Sequence, residues 1–215
     1  MKQLSVSDFE SLIKKNAEII DTRATELFKE GFIPGSIHIP WNRKFESRLI
    51  QLVPANSLLL VISTPDQQED LSETLRQNGY HNMGGFLNGG FDAWKQQGKP
   101  IDMIIEIETD ELAMDLSFDP KLLVVDVRDS LEFAEGHLKD AVNLSLANII
   151  DPLTIAQFDA GENIVLHCGG GSRSVIAASI LKKHGLHNLH HVAGGWKKMK
   201  EMPKAKIVKD PGALN

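Results

Sequence analysis

Asn163-Ile164-Val165-Leu166-His167-Cys168-Gly169-Gly170-Gly171-Ser172-Arg173-Ser174-Val175-Ile176-Ala177-Ala178 carries three kinds of local pattern in sixteen residues. An apolar run of strand length over 164–166 leads into the chain's single cysteine. Three glycines, a serine and an arginine follow, and then apolar residues at helical spacing. The order predicts strand, tight loop, helix. A cysteine after a strand can be a small buried hydrophobe, but the neighbours here point to chemistry. Without Cβ atoms the backbone can curl with successive N–H groups inward, and a helix beginning near Ser172 adds unpaired N–H groups and the positive end of its dipole. Helix N-termini and nearby cations lower a thiol from about 8.5 to roughly 3.5–7.5. Cys168 is therefore expected as a thiolate nucleophile, with Gly169, Gly170, Gly171, Ser172, Arg173 and Ser174 as the substrate-binding loop. His167 precedes it at a strand end, where successive side chains face opposite sides, so a Cys-His dyad is disfavoured.

The chain repeats itself at a constant offset of 105 residues, read from Asp21 to Asp126 and from Gly31 to Gly136. Asp21-Thr22-Arg23 with Phe28-Lys29-Glu30-Gly31 parallels Asp126-Val127-Arg128 with Phe133-Ala134-Glu135-Gly136. Gly89-Gly90-Phe91 falls on Gly194-Gly195-Trp196, and Ser63 falls on Cys168. Where the second copy has its glycine loop, the first reads Ser63-Thr64-Pro65-Asp66-Gln67-Gln68-Glu69. It lacks the thiol, the glycines and the arginine, Pro65 removes an N–H, and Asp66 places negative charge where an anion would sit. The first copy is read as catalytically silent, with Ser63 a turn or capping residue.

Cys168-Gly169-Gly170-Gly171-Ser172-Arg173-Ser174 resembles the active-site loop of the rhodanese (sulfurtransferase) superfamily. Asp126-Val127-Arg128 through Glu135-Gly136-His137-Leu138 resembles that family's first signature, and Gly194-Gly195-Trp196 its second. The resemblance implies that Cys168 takes a sulfane sulfur from a donor, holds it as a persulfide and passes it to a thiol or cyanide acceptor. Both halves are similar to the tandem rhodanese portion of bacterial fusions that carry a metallo-β-lactamase-fold persulfide dioxygenase. The dioxygenase half and its histidine motif are absent from this sequence. By that analogy a low-molecular-weight persulfide is as good a donor as thiosulfate. Many thiosulfate-specific members place a cation inside the loop, whereas this one offers glycines and Arg173. The implied partners are a small sulfur donor, a thiol acceptor and a protein of sulfur metabolism; no cofactor is implied.

Two other classes compete. One is a non-catalytic or regulatory rhodanese module that binds a protein partner, against which the complete reactive loop counts. The other is a phosphatase or arsenate reductase, whose related loops carry five residues between cysteine and arginine. Here four intervene, a cradle suited to one sulfur atom.

The 215 residues are 42% hydrophobic and 24% charged, ordinary for a soluble chain with a core. A net charge of -6 gives no electrostatic reason to expect nucleic acid or an anionic membrane surface. One cysteine excludes an internal disulfide, and with no apolar signal segment at the start and no apolar run approaching about 20 residues, a cytoplasmic protein is expected.

Apolar strands alternating with helices predict an α/β protein of two tandem rhodanese-like domains, 1–102 silent and 103–215 active, each a parallel sheet covered by helices on both faces. In such sheets ligands bind at the carboxyl ends of strands. The spacing predicts a capping box at Ser7-Asp8-Phe9-Glu10, strands over 19–22, 58–62, 80–84, 122–127 and 164–167, and helices over 71–77, 91–97, 110–114, 174–184 and 195–200. The tail 203–215 is expected to be loosely held. Of the other constellations, His184, His187, His190 and His191 straddle a helix end and read as solvated or packed imidazoles, with no metal site expected. Asp126 and Arg128 read as a structural pair because Asp21 and Arg23 survive in the silent copy, and His137 reads likewise. Phe91, Trp94 and Trp196 read as packing.

Overall fold

The computed structural model describes residues 1–159, 161–203 and 205–210. The chain divides into two compact units, Met1–Met103 and Ile104–Asn215.

In chain order the first unit comprises β1 (Gln3–Leu4), α1 (Val6–Ile13), β2 (Glu18–Asp21), α2 (Thr25–Glu30), β3 (Ser36–His38), α3 (Phe45–Leu52), β4 (Leu59–Ile62), α4 (Gln68–Gln77), β5 (Met83–Leu87) and α5 (Gly90–Gln96). Its strands form one sheet in the order β1-β5-β4-β2-β3, with parallel pairing throughout. The second unit comprises β6 (Ile105–Ile107), α6 (Thr109–Phe118), β7 (Leu122–Asp126), α7 (Ser130–Glu135), β8 (His137–Leu138), β9 (Val142–Asn143), α8 (Pro152–Ile155), β10 (Asn163–His167), α9 (Ser172–Lys183), β11 (Leu189–Val192), α10 (Trp196–Met199) and β12 (Ile207–Val208). Its main sheet runs β6-β11-β10-β7-β9, again parallel. A short antiparallel pair, β8 with β12, stands apart from it.

The two sheets place corresponding strands in the same order, with β4 and β10 central. All of Leu59–Ile62 is buried, and so is β10 from Ile164 onward. A continuous apolar run is what a parallel strand flanked by helices requires, since both faces lose water. Phe9, Ile19, Leu60, Leu87 and Trp94 pack together in the first core, and Leu112, Val124, Val165, Val192 and Met199 in the second. Among the described residues, no helix is long and apolar enough to cross a membrane.

Three local expectations are corrected. The first helix is capped by Ser5, whose hydroxyl accepts the Asp8 N–H at 3.1 Å, and not by Ser7. The strand expected over 80–84 begins at Met83. Tyr80 is instead an anchor, buried, with its hydroxyl donating to the carbonyls of Leu49 (3.0 Å) and Val53 (2.8 Å) at the end of α3. The helix expected over 110–114 runs on to Phe118 from a capping box between Glu108 and Glu111. Of the tail, 204 and 211–215 lie outside the described residues, and Ile207–Val208 pairs with β8.

Candidate active site

Cys168 is the first residue beyond the central strand β10 and is only 2% exposed. Its backbone is fixed from two sides. The Trp196 N–H donates to the Cys168 carbonyl at 2.6 Å and the Lys197 N–H to that of Gly169 at 3.3 Å, so the start of α10 sits directly on the loop. This contact explains the Gly194-Gly195-Trp196 sequence. Gly195 has φ +56°, and a Cβ there would lie 2.2 Å from the Cys168 carbonyl oxygen. A side chain is thus excluded by both conformation and space.

Gly171 turns the chain into α9 with φ +100°, a left-handed value that suits glycine. Its N–H donates to Cys168 Sγ at 3.1 Å. Ser174, one turn into α9, is fully buried; its hydroxyl lies 2.8 Å from the Gly171 carbonyl and 3.8 Å from Sγ. The sulfur therefore receives one loop amide, with a hydroxyl at the outer limit of hydrogen bonding. Ser172 opens α9, half-buried, Gly169 is partly buried and Gly170 lies exposed at the loop's outer edge. A Cβ at Gly170 would meet nothing within 4 Å.

Arg173 faces a carboxylate. Its guanidinium pairs in bidentate fashion with Glu132, Nη1 to Oε2 at 2.5 Å and Nη2 to Oε1 at 2.8 Å, with Asp129 Oδ2 3.5 Å away. Glu132 is held for this task by the capping box of α7, where its Oε2 also accepts the Asp129 N–H at 3.2 Å. The Arg173 contact holds the Glu132 carboxyl at about 2, and Glu132 in turn pushes the guanidinium above its ordinary range. Gly169 is near enough that an added Cβ would touch Arg173 Nη2 at 3.3 Å. The arginine thus braces the loop from outside, with its charge largely balanced.

Behind the loop lies a second fixed element. Arg128 chelates Asp126 at 2.5–3.0 Å, donates to the Gly136 carbonyl at 2.8 Å and stands 4.5 Å over the Trp196 ring. In the first unit Arg23 does the same to Asp21 and to the Gly31 carbonyl, 4.2 Å over Phe91. A triad that recurs where the loop chemistry is missing holds the fold. His167 is fully buried, with Nε2 3.6 Å from Asp126 and its ring stacked near Trp196. Burial lowers it to about 4 against the pull of Asp126, so it is neutral near pH 7. His137 stacks on Phe133 at 3.6 Å. Among the described residues, no three or more His, Cys, Asp or Glu side chains are grouped to hold a metal ion.

Sequence reading missed His191 and Glu106. On β11, His191 is 2% exposed; its Nδ1 is 3.2 Å from Ser174 Oγ and its Nε2 is 2.6 Å from Glu106 Oε2. One signal was present, the alternation of His190 and His191 along a strand, which sends one of the two inward.

In the first unit Ser63 occupies the place of Cys168 after β4. It is buried, and its hydroxyl has no hydrogen-bond partner among the described residues. A 3₁₀ turn over Pro65–Gln67 replaces the glycine loop. Beside it is a cleft of about 430 Å³ lined in part by Arg23, Ser63, Asn88 and Phe91.

The family model described as Rhodanese-like domain matches twice, over residues 5–97 and 109–202. The chain belongs to the rhodanese family. Its tandem copies are the two units described above. Among curated proteins, a tRNA uridine(34) hydroxylase of Yersinia pestis (strain Pestoides F) is 35% identical over 81 residues, covering 36% of this chain and 23% of the relative. One from Hamiltonella defensa is 36% identical over the same shares. The chain thus spans about a quarter of the length of the curated relatives it matches. A solved thiosulfate sulfurtransferase from Pseudomonas aeruginosa is 15% identical at a TM-score of 0.43, over 98% of this chain and 44% of that one. A rhodanese-like domain protein from Staphylococcus aureus is 28% identical at 0.41, over 45% and 91%.

Proposed function

We propose that this rhodanese-family chain is a sulfurtransferase that works through a Cys168 persulfide. The Cys168 thiolate attacks the sulfane sulfur of a donor; the new S–S bond forms as the donor's bond to that sulfur breaks. Thiosulfate would leave as sulfite and a persulfide as its parent thiolate. A thiol or cyanide then attacks the outer sulfur, and the Cys168 thiolate departs with its original electron pair. The observation that carries this reading is Sγ at the carboxyl end of the central strand, receiving the Gly171 amide at 3.1 Å beneath an outer loop edge of bare glycine. Family membership supports sulfur chemistry at the coarser level.

Donor choice follows from charge. Because Arg173 is neutralised by Glu132, with Asp129 beside it, the loop offers little to attract a dianion. This favours a low-molecular-weight persulfide over thiosulfate. The same pairing, with four residues between Cys168 and Arg173, weighs against a phosphoryl substrate. The tRNA substrate in the hydroxylases' name is not carried over: the match covers 23% of those proteins, and a chain of net charge -6 has no evident phosphate-binding bias.

The test is intact-protein mass measurement after incubation with glutathione persulfide or thiosulfate. The protein gains the mass of one sulfur, removed by cyanide, and Cys168→Ser gains none. Failure of every sulfane donor to load the wild-type chain would leave the alternative, a rhodanese module that binds a protein partner without turnover.

A further inference from the structure

Cys168 poses a problem that its loop does not solve. The thiol is 2% exposed, one amide reaches it, and the nearest cation of the loop is committed to Glu132. Releasing its proton to water from such a place would leave a buried charge that one amide, the positive end of α9 and an arginine already paired with Glu132 only partly balance.

Beneath the loop an unbroken polar chain runs from the sulfur to the edge strand. Sγ lies 3.8 Å from Ser174 Oγ, which lies 3.2 Å from His191 Nδ1; His191 Nε2 lies 2.6 Å from Glu106 Oε2. The fold builds this path from paired strands. His191 on β11 is in register with Glu106 on β6 on one side and with Leu166 on β10 on the other. His191 also backs the loop, because a Cβ at Gly171 would touch its Cε1 at 3.6 Å. Glu106 from β6 and, through Ser174 of α9, Cys168 face the imidazole, and β10 presents the apolar Leu166 at the paired position.

The Ser174 hydroxyl carries one proton and has three acceptors in reach, the Gly171 carbonyl at 2.8 Å, His191 Nδ1 at 3.2 Å and Sγ at 3.8 Å; with Glu106 accepting from Nε2–H, a neutral His191 leaves Nδ1 as one of them. If Ser174 instead turns its single proton toward a thiolate, Nδ1 must carry a proton and donate it to Ser174 Oγ. The two arrangements differ by one proton moved from sulfur to imidazole.

We propose that Ser174, His191 and Glu106 form an internal proton relay for Cys168. As the S–H bond breaks, its proton passes to Ser174 Oγ while the Ser174 proton moves to His191 Nδ1. This leaves a thiolate and an imidazolium, the latter balanced by Glu106. His191 and Glu106 are positioning residues that act on the sulfur through Ser174. The silent unit supports the assignment: at the 105-residue offset Cys168, Ser174 and His191 become Ser63, Glu69 and Phe86, and the residue in register with Phe86 on the edge strand β1 is Gln3 where β6 has Glu106. The relay is lost together with the thiol. The inference rests on Cys168 as a nucleophile but not on any particular donor.

Because the chain has one cysteine, the rate of alkylation by iodoacetamide across pH 5–9 reads Cys168 alone. We expect His191→Asn to move the midpoint of that profile upward by about one unit, so that the rate below the midpoint falls on the order of tenfold. Glu106→Gln moves it in the same direction by less. Ser174→Ala combined with His191→Asn moves it no further than His191→Asn, because a broken chain cannot be broken twice. Profiles of His191→Asn and Glu106→Gln that superimpose on the wild type would overturn the relay. Should His191→Asn fail to fold by circular dichroism, Glu106→Gln decides alone, since its side chain is 39% exposed at the sheet edge. Alkylation needs no sulfur donor. A relay-dependent profile in a protein that takes up no sulfur would sink the proposed function and spare the relay.

Discussion

The loops after the two central strands, β4 and β10, start from the same place and end as different objects. Both follow a buried strand, both are backed by an Asp-Arg pair stacked on an aromatic ring, and both face a Gly-Gly turn. In the second unit that turn presses on the loop, and an added Cβ at Gly195 would collide with the Cys168 carbonyl at 2.2 Å. In the first unit the equivalent Cβ at Gly90 would stand 3.8 Å from the Ser63 carbonyl. The scaffold is shared, and the close seat of the loop on the following helix belongs to the unit that keeps the thiol. The signature residues outside the loop therefore serve two separate ends. Asp126 and Arg128 hold the fold, whereas Gly195 shapes the site.

The largest effect that would test the shared scaffold is acid unfolding. Burial lowers His38 of the first unit to about 3 and His167 of the second to about 4, against about 6.5 for a free imidazole. Between those values the unfolded chain binds more protons, so stability is present above about pH 6.5 and is lost as pH falls toward 4. Each unit should lose on the order of 3–5 kcal/mol between pH 7 and pH 3.5, read by denaturant melts at each pH. His167→Gln should flatten the loss in the second unit alone; an unchanged slope would show that the buried imidazole is not its source.

The turn itself gives the next contrast. Gly195→Ala should cost about 3 kcal/mol or more and slow sulfur loading, because a Cβ must displace backbone at a left-handed φ. Gly90→Ala meets the conformational penalty alone, about 1 kcal/mol. Equal losses would erase the distinction between the loops. Smaller still is the effect of unmasking Arg173. Glu132→Gln should lower the thiosulfate KM severalfold while leaving the persulfide KM near wild type, measured by steady-state transfer to cyanide. Ser63→Ala should change transfer by nothing measurable, and any loss of turnover would contradict a silent first unit.

Much of this was readable in the residues. The buried runs at 59–62 and 164–167 announced parallel strands because both of their faces are covered, and the 105-residue offset announced two copies because each repeats glycines and an Asp-Arg pair at fixed spacing. Boundaries were less legible. Tyr80 has strand propensity, yet its hydroxyl finds two carbonyls on α3, and that tertiary contact delays β5 to Met83. Within the loop, spacing placed Arg173 beside Cys168 but gave no account of Glu132, 41 residues earlier, which takes up the charge. Nor did it single out His191 among four clustered histidines.

From the sequence alone came the family, the duplicated plan and the one thiol on which the proposed chemistry depends, since these rest on residue identity and on periodicity along the chain. How that thiol is served emerges from the folded chain, with Arg173 occupied, one amide at the sulfur, and Ser174, His191 and Glu106 in line beneath it. Strand pairing brings Glu106 and His191 together across 85 residues, and no local pattern encodes a contact that exists only once the sheet has closed.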